Sequence, residues 1–218
     1  MKHQEVASIT TIVPVYNEAT GVAAALEQIH AAIKQRFTDQ EMLIVESGST
    51  DNSAAICDEV AAQLHGVRVL HQGTRLGFGS ALRLGFEQAT RDLVWVVSSD
   101  LPFPLDVLDT ALPLMQDHDC VLSYRSNDDR NPFRRTQSLA YNSLARSTLG
   151  LRNTHVNSQF KLYRRQVIQA LHIDSEGWFI DTEIIYRLQT EGYGCAEAAV
   201  PLTARTPGGP TLAVSEPL

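Results

Sequence analysis

The 218-residue chain has only three cysteines, Cys57, Cys120 and Cys195, and no Cys-x-x-Cys pair. This spacing indicates neither a zinc site nor a disulfide framework, and it favours a reducing cytoplasm. No apolar run approaches the roughly 20 residues that a membrane-spanning helix needs, and the first ten residues lack the apolar core of a signal peptide. Basic residues are in the minority, and the formal net charge of −7 argues against a general nucleic-acid binder. We therefore expect a cytoplasmic protein that is soluble or rests on the membrane surface.

What the chain does have is a large apolar fraction, 44% of its residues, which is enough for a substantial core. Strand-like and helix-like segments alternate, and this rhythm predicts an α/β fold with a mostly parallel sheet flanked by helices. Strands are predicted at 9–15, 42–45, 67–70, 93–97, 120–124, 159–163 and 195–200, and helices at 22–37, around 56–64, and at 77–89, 105–115, 138–149 and 179–190.

No repeat or clear linker interrupts the chain, so we expect one domain spanning residues 1–218. Within it we predict a nucleotide-binding half at about 8–124, an acceptor half at about 125–205 and a mobile tail at 206–218. The tail contains a Gly-Gly-Pro sequence, which is typical of a flexible segment or a lid.

The most informative segment is VWVVSSDLPFP at 94–104, where a buried strand ends in two serines and Asp100. Three other predicted strands also end in polar clusters, at 16–18, 46–51 and 73–79. Each cluster alone is explained by a turn or a helix cap. In a parallel sheet, however, all four meet at the carboxyl edge, where α/β proteins bind their ligands. The pattern predicts a binding site there.

The order and spacing of these clusters resemble the inverting glycosyltransferases of family 2, which have the GT-A fold. FKLYRR and the downstream Pro201–Arg205 element are most similar to the dolichyl- or polyprenyl-phosphate mannosyl- and glucosyltransferases. The motifs that carry the resemblance are IVPVYNE (12–18), IVESGSTDNS (44–53), TRLGFGSALRLGF (74–86), SSDLPFP (98–104), SYRSN (123–127), FKLYRR (160–165) and EGWFIDTEIIYRL (176–188).

This resemblance implies a hexosyltransferase that works with inversion. Its donor would be a GDP- or UDP-linked sugar, and its acceptor a lipid phosphate, in the first place a polyprenyl phosphate, or else a sugar. Peripheral contact with a membrane is then expected. Pro14, Tyr16 and Glu18 would line the base and ribose, and Glu46 would contact the base.

The resemblance also implies a divalent cation and a set of cationic side chains. Ser98 and Asp100 occupy the two acidic positions of the family's D-x-D motif, and Asp100 would bind Mg²⁺ or Mn²⁺ at the diphosphate. Arg125, Arg135 and Arg205 match positions associated with phosphates, which a guanidinium binds well. The site residues implied as catalytic are Asp100, Arg125 and Arg205, the last brought in by closure of the tail.

Three acidic positions of the family pattern are not acidic in this chain. Ser98 replaces the first Asp of D-x-D, Ser47 replaces the second Asp of the DDGSTD motif, and His155 stands in place of the Asp ahead of FKLYRR. Each lost carboxylate weakens a site for a hard cation. The alternative is therefore a catalytically impaired domain that binds nucleotide or phospholipid as a partner or sensor.

The acceptor decides whether a general base is required. A lipid phosphate is already anionic at neutral pH and needs none, whereas a sugar hydroxyl must lose its proton. Asp181 and Glu183 are the nearby candidates for that base. They are equally well explained as acidic residues in the first turn of a helix.

Overall fold

The computed structural model describes residues 8–126, 132–153, 156 and 158–201, without the side chains of 132–135. The strands are β1 (Ser8–Val15), β2 (Asp39–Glu46), β3 (Val67–His71), β4 (Leu93–Val96), β5 (Cys120–Arg125), β6 (Lys161–Arg164) and β7 (Cys195–Val200). They form one sheet in the order β3-β2-β1-β4-β6-β5-β7. Strand β6 is antiparallel to both of its neighbours, and the other adjacent pairs are parallel. The predicted mostly parallel sheet is confirmed.

Helices cover both faces of this sheet. They are α1 (Val22–Lys34), α2 (Ser53–Gln63), α3 (Phe78–Gln88), α4 (Val107–Leu114), α5 (Pro132–Leu149), α6 (Arg165–Ala170) and α7 (Ile180–Thr190). On β4, Leu93 and Trp95 join a core built with α1, α2 and α4. Val94 and Val96 point the other way, into a core shared with α3, α5, α6 and α7. This alternation explains why the strand is apolar throughout.

Helix α5 and strand β2 both begin well before their predicted starts, because most of the residues ahead of those starts are polar. Helix α5 begins at Pro132, ahead of the predicted start at 138, and proline suits the first position of a helix. Strand β2 begins at Asp39 instead of 42. Its polar Glu41 is buried and accepts hydrogen bonds from Thr10 and Thr90, both at 2.7 Å.

The expectation that the cysteines form no disulfide is wrong for one pair. Cys120 and Cys195 lie directly opposite each other on the parallel strands β5 and β7 and form a disulfide, with their Cα atoms 4.8 Å apart. The two cysteines are 75 residues apart, so their spacing in the sequence did not predict this pairing. Cys57 is free and buried. Cysteine spacing therefore gives no support for a reducing compartment.

Candidate functional site

The polar segments that follow β1, β2, β3 and β4 share one edge of the sheet, because these four strands are parallel neighbours. The segment that leads to Asp100 is tied to the central strand, since the Val97 N–H donates to the Ile12 carbonyl at 3.1 Å. The predicted convergence of the four clusters is confirmed. It gives the sheet a continuous polar carboxyl edge.

The loops after β1 and β2 are joined by side chains. The Asn17 N–H donates to Ser49 Oγ at 3.1 Å, and Asn17 Oδ1 accepts from the Thr50 N–H at 2.8 Å. The Glu18 N–H donates to Ser53 Oγ at 2.8 Å. Asn17 has a φ of +53°, a left-handed conformation that asparagine tolerates. The polar residues of these two motifs therefore hold the loops in a fixed relation.

The loop after β3 packs against the other two at Gly48. This glycine has a φ of +71°, and a Cβ there would lie 2.7 Å from the backbone of Thr74. The close approach brings the Arg75 guanidinium to 4.5 Å from the centre of the Tyr16 ring. A flat guanidinium stacked on an aromatic ring provides a surface of the kind on which a nucleobase packs. Arg75 was not among the predicted site residues, although it lies inside the motif at 74–86.

Glu46 ends β2 and is buried at this edge. One carboxylate oxygen accepts the Ser49 N–H at 2.6 Å, and the other lies 3.2 Å from His71 Nδ1. Burial favours the neutral acid, but the hydrogen bonds from Ser49 and His71 outweigh it and hold the pKa of Glu46 below its ordinary value. Glu46 is thus a fixed, charged hydrogen-bond acceptor.

Asp100 lies just past β4 in a strained turn. The Ser98 carbonyl accepts the Leu101 N–H at 3.1 Å, and Leu101 has a φ of +44°, which is rare for a leucine. Such strain is often found at functional sites.

The single carboxylate of Asp100 suits a cation that is also bound by a phosphate of the substrate. Within 8–126, 132–153, 156 and 158–201, no three His, Cys, Asp or Glu side chains are grouped so that they could hold a metal ion by themselves. Mg²⁺ in proteins is commonly held by one or two carboxylates together with substrate phosphates. The one carboxylate at Asp100 fits this kind of binding. It does not fit a site in which the protein supplies every ligand.

Arg125 ends β5 at the same edge, beyond the antiparallel strand β6. It pairs with Val200, the last residue of β7, and the next N–H, of Ser126, donates to the Val200 carbonyl at 3.1 Å. His155 and Arg205 lie outside the described residues, as does the predicted tail. Arg135 is on α5, but its side chain is also outside the description.

Asp181, in the first turn of α7, forms a buried ion pair. Its Oδ2 lies 3.1 Å from Nζ of Lys161 on β6, and both side chains are less than 10% exposed. The other oxygen, Oδ1, is buried with no hydrogen-bond partner among the described residues. Burial raises the pKa of Asp181, and Lys161 opposes the rise. The lysine also lies 5.4 Å from the centre of the Phe78 ring.

Glu183, one turn into α7, anchors the segment before this helix. Its two oxygens accept the N–H groups of Asp174 at 3.0 Å and Ser175 at 2.8 Å, and Arg187 lies 3.2 Å away. Despite burial, these partners lower the pKa of Glu183 to about 2. A carboxylate held in this way is too weak a base to accept a proton from a hydroxyl.

Glu183→Gln is expected to lower stability near pH 7 by about 2 kcal/mol, because an amide cannot accept both N–H bonds as a carboxylate does. The native pKa of about 2 lies below the ordinary 4.5, so the contribution of Glu183 is complete above pH 4.5 and is lost as pH falls toward 2. Urea unfolding across this range measures it. The variant should show a flatter acid profile than the wild type and the control Glu191→Gln, an exposed position. An unchanged profile in Glu183→Gln would contradict this role.

Comparison with known proteins identifies the family to which the chain is similar. Residues 10–171 match the family model described as Glycosyl transferase family 2. Relatives include an undecaprenyl-phosphate 4-deoxy-4-formamido-L-arabinose transferase of Sodalis glossinidius, 31% identical over 176 residues, which covers 79% of this chain and 54% of the relative. Glycosyltransferase AglD of Haloferax volcanii is 30% identical over 204 residues, 88% of this chain and 32% of the relative. The chain spans about half the length, or less, of these curated relatives.

Solved structures of similar fold include glucosyl-3-phosphoglycerate synthase from Mycobacterium tuberculosis. Its complex with phosphoglyceric acid has a TM-score of 0.71 at 20% identity and covers 92% of this chain and 72% of the other. The complex of the same enzyme with Mn²⁺ and UDP-glucose has a TM-score of 0.71 at 17% identity, with 92% and 71% covered. At these identities the likeness shows the fold, and the expected GT-A architecture is confirmed.

Proposed function

This chain belongs to glycosyl transferase family 2, a family of enzymes, and we propose that it transfers a hexose from a nucleotide-diphosphate sugar to a polyprenyl phosphate, with inversion at the anomeric carbon. The relatives named as undecaprenyl-phosphate sugar transferases support a lipid-phosphate acceptor. The alternative, an impaired domain that binds without turnover, is not favoured, because the relatives are named as transferases.

The donor is proposed to bind along the carboxyl edge, with its base against Tyr16 and Arg75 and near Glu46. The other predicted contacts, Pro14 and Glu18, belong to the end of β1 and the loop that follows it. Structural neighbours determined with UDP, or with UDP-glucose, together with Mn²⁺ support a nucleotide-sugar donor and a divalent cation. UDP is therefore the first nucleotide to test, and GDP is the second.

Asp100 is the residue that would hold the cation, with Ser98 beside it where a second carboxylate would otherwise stand. A bound Mg²⁺ or Mn²⁺ neutralises charge that develops on the departing nucleoside diphosphate. The protein's own part is to orient the diphosphate at the strained turn after β4. With one carboxylate, Asp100 alone would hold a cation weakly, and the diphosphate would supply further ligands.

The observation that carries the choice of acceptor is the state of the two candidate bases. Glu183 is fixed by two backbone N–H groups and Arg187, and Asp181 is buried against Lys161. Neither is poised to take a proton from a hydroxyl, which supports an acceptor that is already anionic. Arg125, at the same edge, is proposed to bind the acceptor phosphate, and Arg205 is proposed to join it there.

A lipid acceptor requires contact with a membrane surface, and we propose that the α5–α7 side provides it on the cytoplasmic face. Among the described residues, no helix is both long and apolar enough to cross a bilayer. Leu139 and Leu144 on α5 and Trp178 and Phe179 before α7 are, however, more than half exposed. The two regions are linked by Tyr141 Oη and Thr182 Oγ1, 2.6 Å apart. Exposed apolar side chains of this kind suit an interfacial contact.

Calorimetry with UDP tests the donor and cation sites together. We expect UDP to bind in the presence of Mn²⁺ more tightly than in its absence, and Ser98→Asp to raise the affinity for Mn²⁺ about tenfold, because it restores a carboxylate beside Asp100. Ser147→Asp, at an exposed position near the end of α5, is the control and should change nothing at the cation. Failure of UDP and GDP to bind at millimolar concentration would count strongly against the proposed donor. An unchanged Mn²⁺ affinity in Ser98→Asp would show that residue 98 is not beside the cation.

A further inference from the structure

His71 ends β3 with its ring between two carboxylates. Its Nδ1 lies 3.2 Å from Oε2 of Glu46, which is buried, and its Nε2 lies 2.9 Å from Oδ1 of Asp58 on α2, which is exposed. The ring itself is partly exposed. His71 is thus a bridge from solvent to the buried acceptor at the candidate nucleotide site.

Both bonds of this bridge require a protonated ring. A carboxylate accepts hydrogen bonds, so each ring nitrogen must carry a proton, and only the imidazolium has two N–H groups. The geometry agrees with the titration behaviour, because the bonds to Asp58 and to Glu46 raise the pKa of His71 above its ordinary value. Cys57 lies near these carboxylates, but burial raises its pKa to about 12 and it stays neutral. Asp51 is the third carboxylate whose charge acts on Cys57. Its own pKa is lowered, so it stays ionised.

A glutamate such as Glu46 is longer by one methylene than an aspartate, and it has one more rotatable bond to be fixed. The Ser49 N–H and the His71 ring each hold one of its oxygens. With both oxygens held, rotation of the carboxylate is restricted. A fixed acceptor binds a nucleobase N–H, present on uracil and guanine, without first losing rotamer freedom.

We propose that protonated His71 is a positioning residue for the donor, which fixes the Glu46 carboxylate for the nucleobase and makes donor affinity depend on pH. The inference rests on the proposed function, since it requires the nucleotide to bind beside Glu46. As pH rises and His71 loses a proton, one of its two bonds is lost together with the positive charge beside Glu46. Donor affinity therefore falls with rising pH.

The test is calorimetry with UDP-glucose and GDP-mannose in the presence of Mg²⁺, between about pH 6 and about pH 8.5, a range that begins near the ordinary pKa of histidine and extends above it. A diphosphate esterified at both ends keeps its charge throughout this range, so the ligand adds no pH dependence. We expect wild-type affinity to fall about tenfold across the range, as a charge-assisted bond becomes a neutral one. His71→Asn should bind about tenfold more weakly at low pH, with a flat profile.

Two further variants separate positioning from a structural role. Asp58→Asn leaves the ring and Glu46 in place but removes the outer charge, so its affinity should begin to fall at lower pH than in the wild type. His172→Asn is the matched control, because His172 is exposed and bonded to Asp174 at 3.1 Å, with no contact to Glu46. It should keep the wild-type affinity and profile.

The outcomes distinguish the inference from the proposed function. Donor binding by the wild type with a pH profile that His71→Asn and Asp58→Asn leave unchanged would overturn the inference and leave the proposed function standing. No binding of either nucleotide sugar by the wild type at any pH would overturn both. If His71→Asn fails to fold, the Asp58→Asn profile decides the question: a shift to lower pH supports positioning, and no shift overturns it.

Discussion

Asp100→Ala is expected to lower kcat/KM for sugar transfer by at least about a hundredfold, because it removes the proposed protein ligand of the cation that offsets leaving-group charge. Asp100 is half-buried at the edge of the sheet and contributes no apolar core, so thermal unfolding should be little changed. Release of nucleoside diphosphate is the measurement. Asp100→Asn, which keeps the shape without the charge, should be nearly as inactive.

The matched control for Asp100 is Asp106→Ala, an exposed acid further along the same connection. It should keep wild-type turnover. If Asp100→Ala retains more than half of the wild-type rate while it remains folded, the cation does not depend on this carboxylate, and the role taken from the D-x-D resemblance is wrong.

Lys161→Met is expected to lower the free energy of unfolding by about 3–5 kcal/mol, because it leaves the buried Asp181 carboxylate without its partner. Asp181 would then have to be protonated or draw water into the core. Urea denaturation measures the effect. Lys34→Met, at an exposed position on α1, is the control and should change stability by less than about 0.5 kcal/mol.

A second variant distinguishes loss of the ion pair from loss of packing. Lys161→Met combined with Asp181→Leu replaces both charges by apolar groups and should recover most of the lost stability, as buried pairs often do. Equal destabilisation by the single and double variants would show that the lysine stem, not the charge, stabilises this region.

Much of the fold could be predicted because local pattern and topology agree. Apolar runs punctuated by polar clusters predicted each of the seven strands within a few residues, and the βα rhythm predicted a mostly parallel sheet, although not that β6 is the antiparallel strand. The shared edge of the candidate site followed from the same reasoning, since parallel strands bring Tyr16, Glu46 and Asp100 to one edge. The short helix α6 was missed because its six residues are too few for a clear helical period.

The contacts within the site could not be predicted, because they join residues far apart in sequence. Nothing local indicates that Arg75 packs on Tyr16, or that His71 lies between Glu46 and Asp58. The disulfide between Cys120 and Cys195 depends on the register of β5 against β7.

The roles of the two candidate bases could not be predicted from the sequence either. Asp181 and Glu183 have the residue type that a general base requires, and only their partners reveal that one is paired and the other anchored. Their spacing in the helix does not distinguish these roles, since acidic residues are common in a first turn for electrostatic reasons alone.

The central claim is transfer of a hexose from a nucleotide-diphosphate sugar to a polyprenyl phosphate. The direct test is to incubate the protein with Mg²⁺, a nucleotide sugar (UDP-glucose, then GDP-mannose) and vesicles with or without undecaprenyl phosphate, and to measure both nucleoside diphosphate release and glycolipid. The account predicts release that requires the lipid phosphate, equals the glycolipid formed and is lost in Asp100→Ala. Tight binding of the nucleotide sugar with no lipid-dependent release from either donor would contradict it.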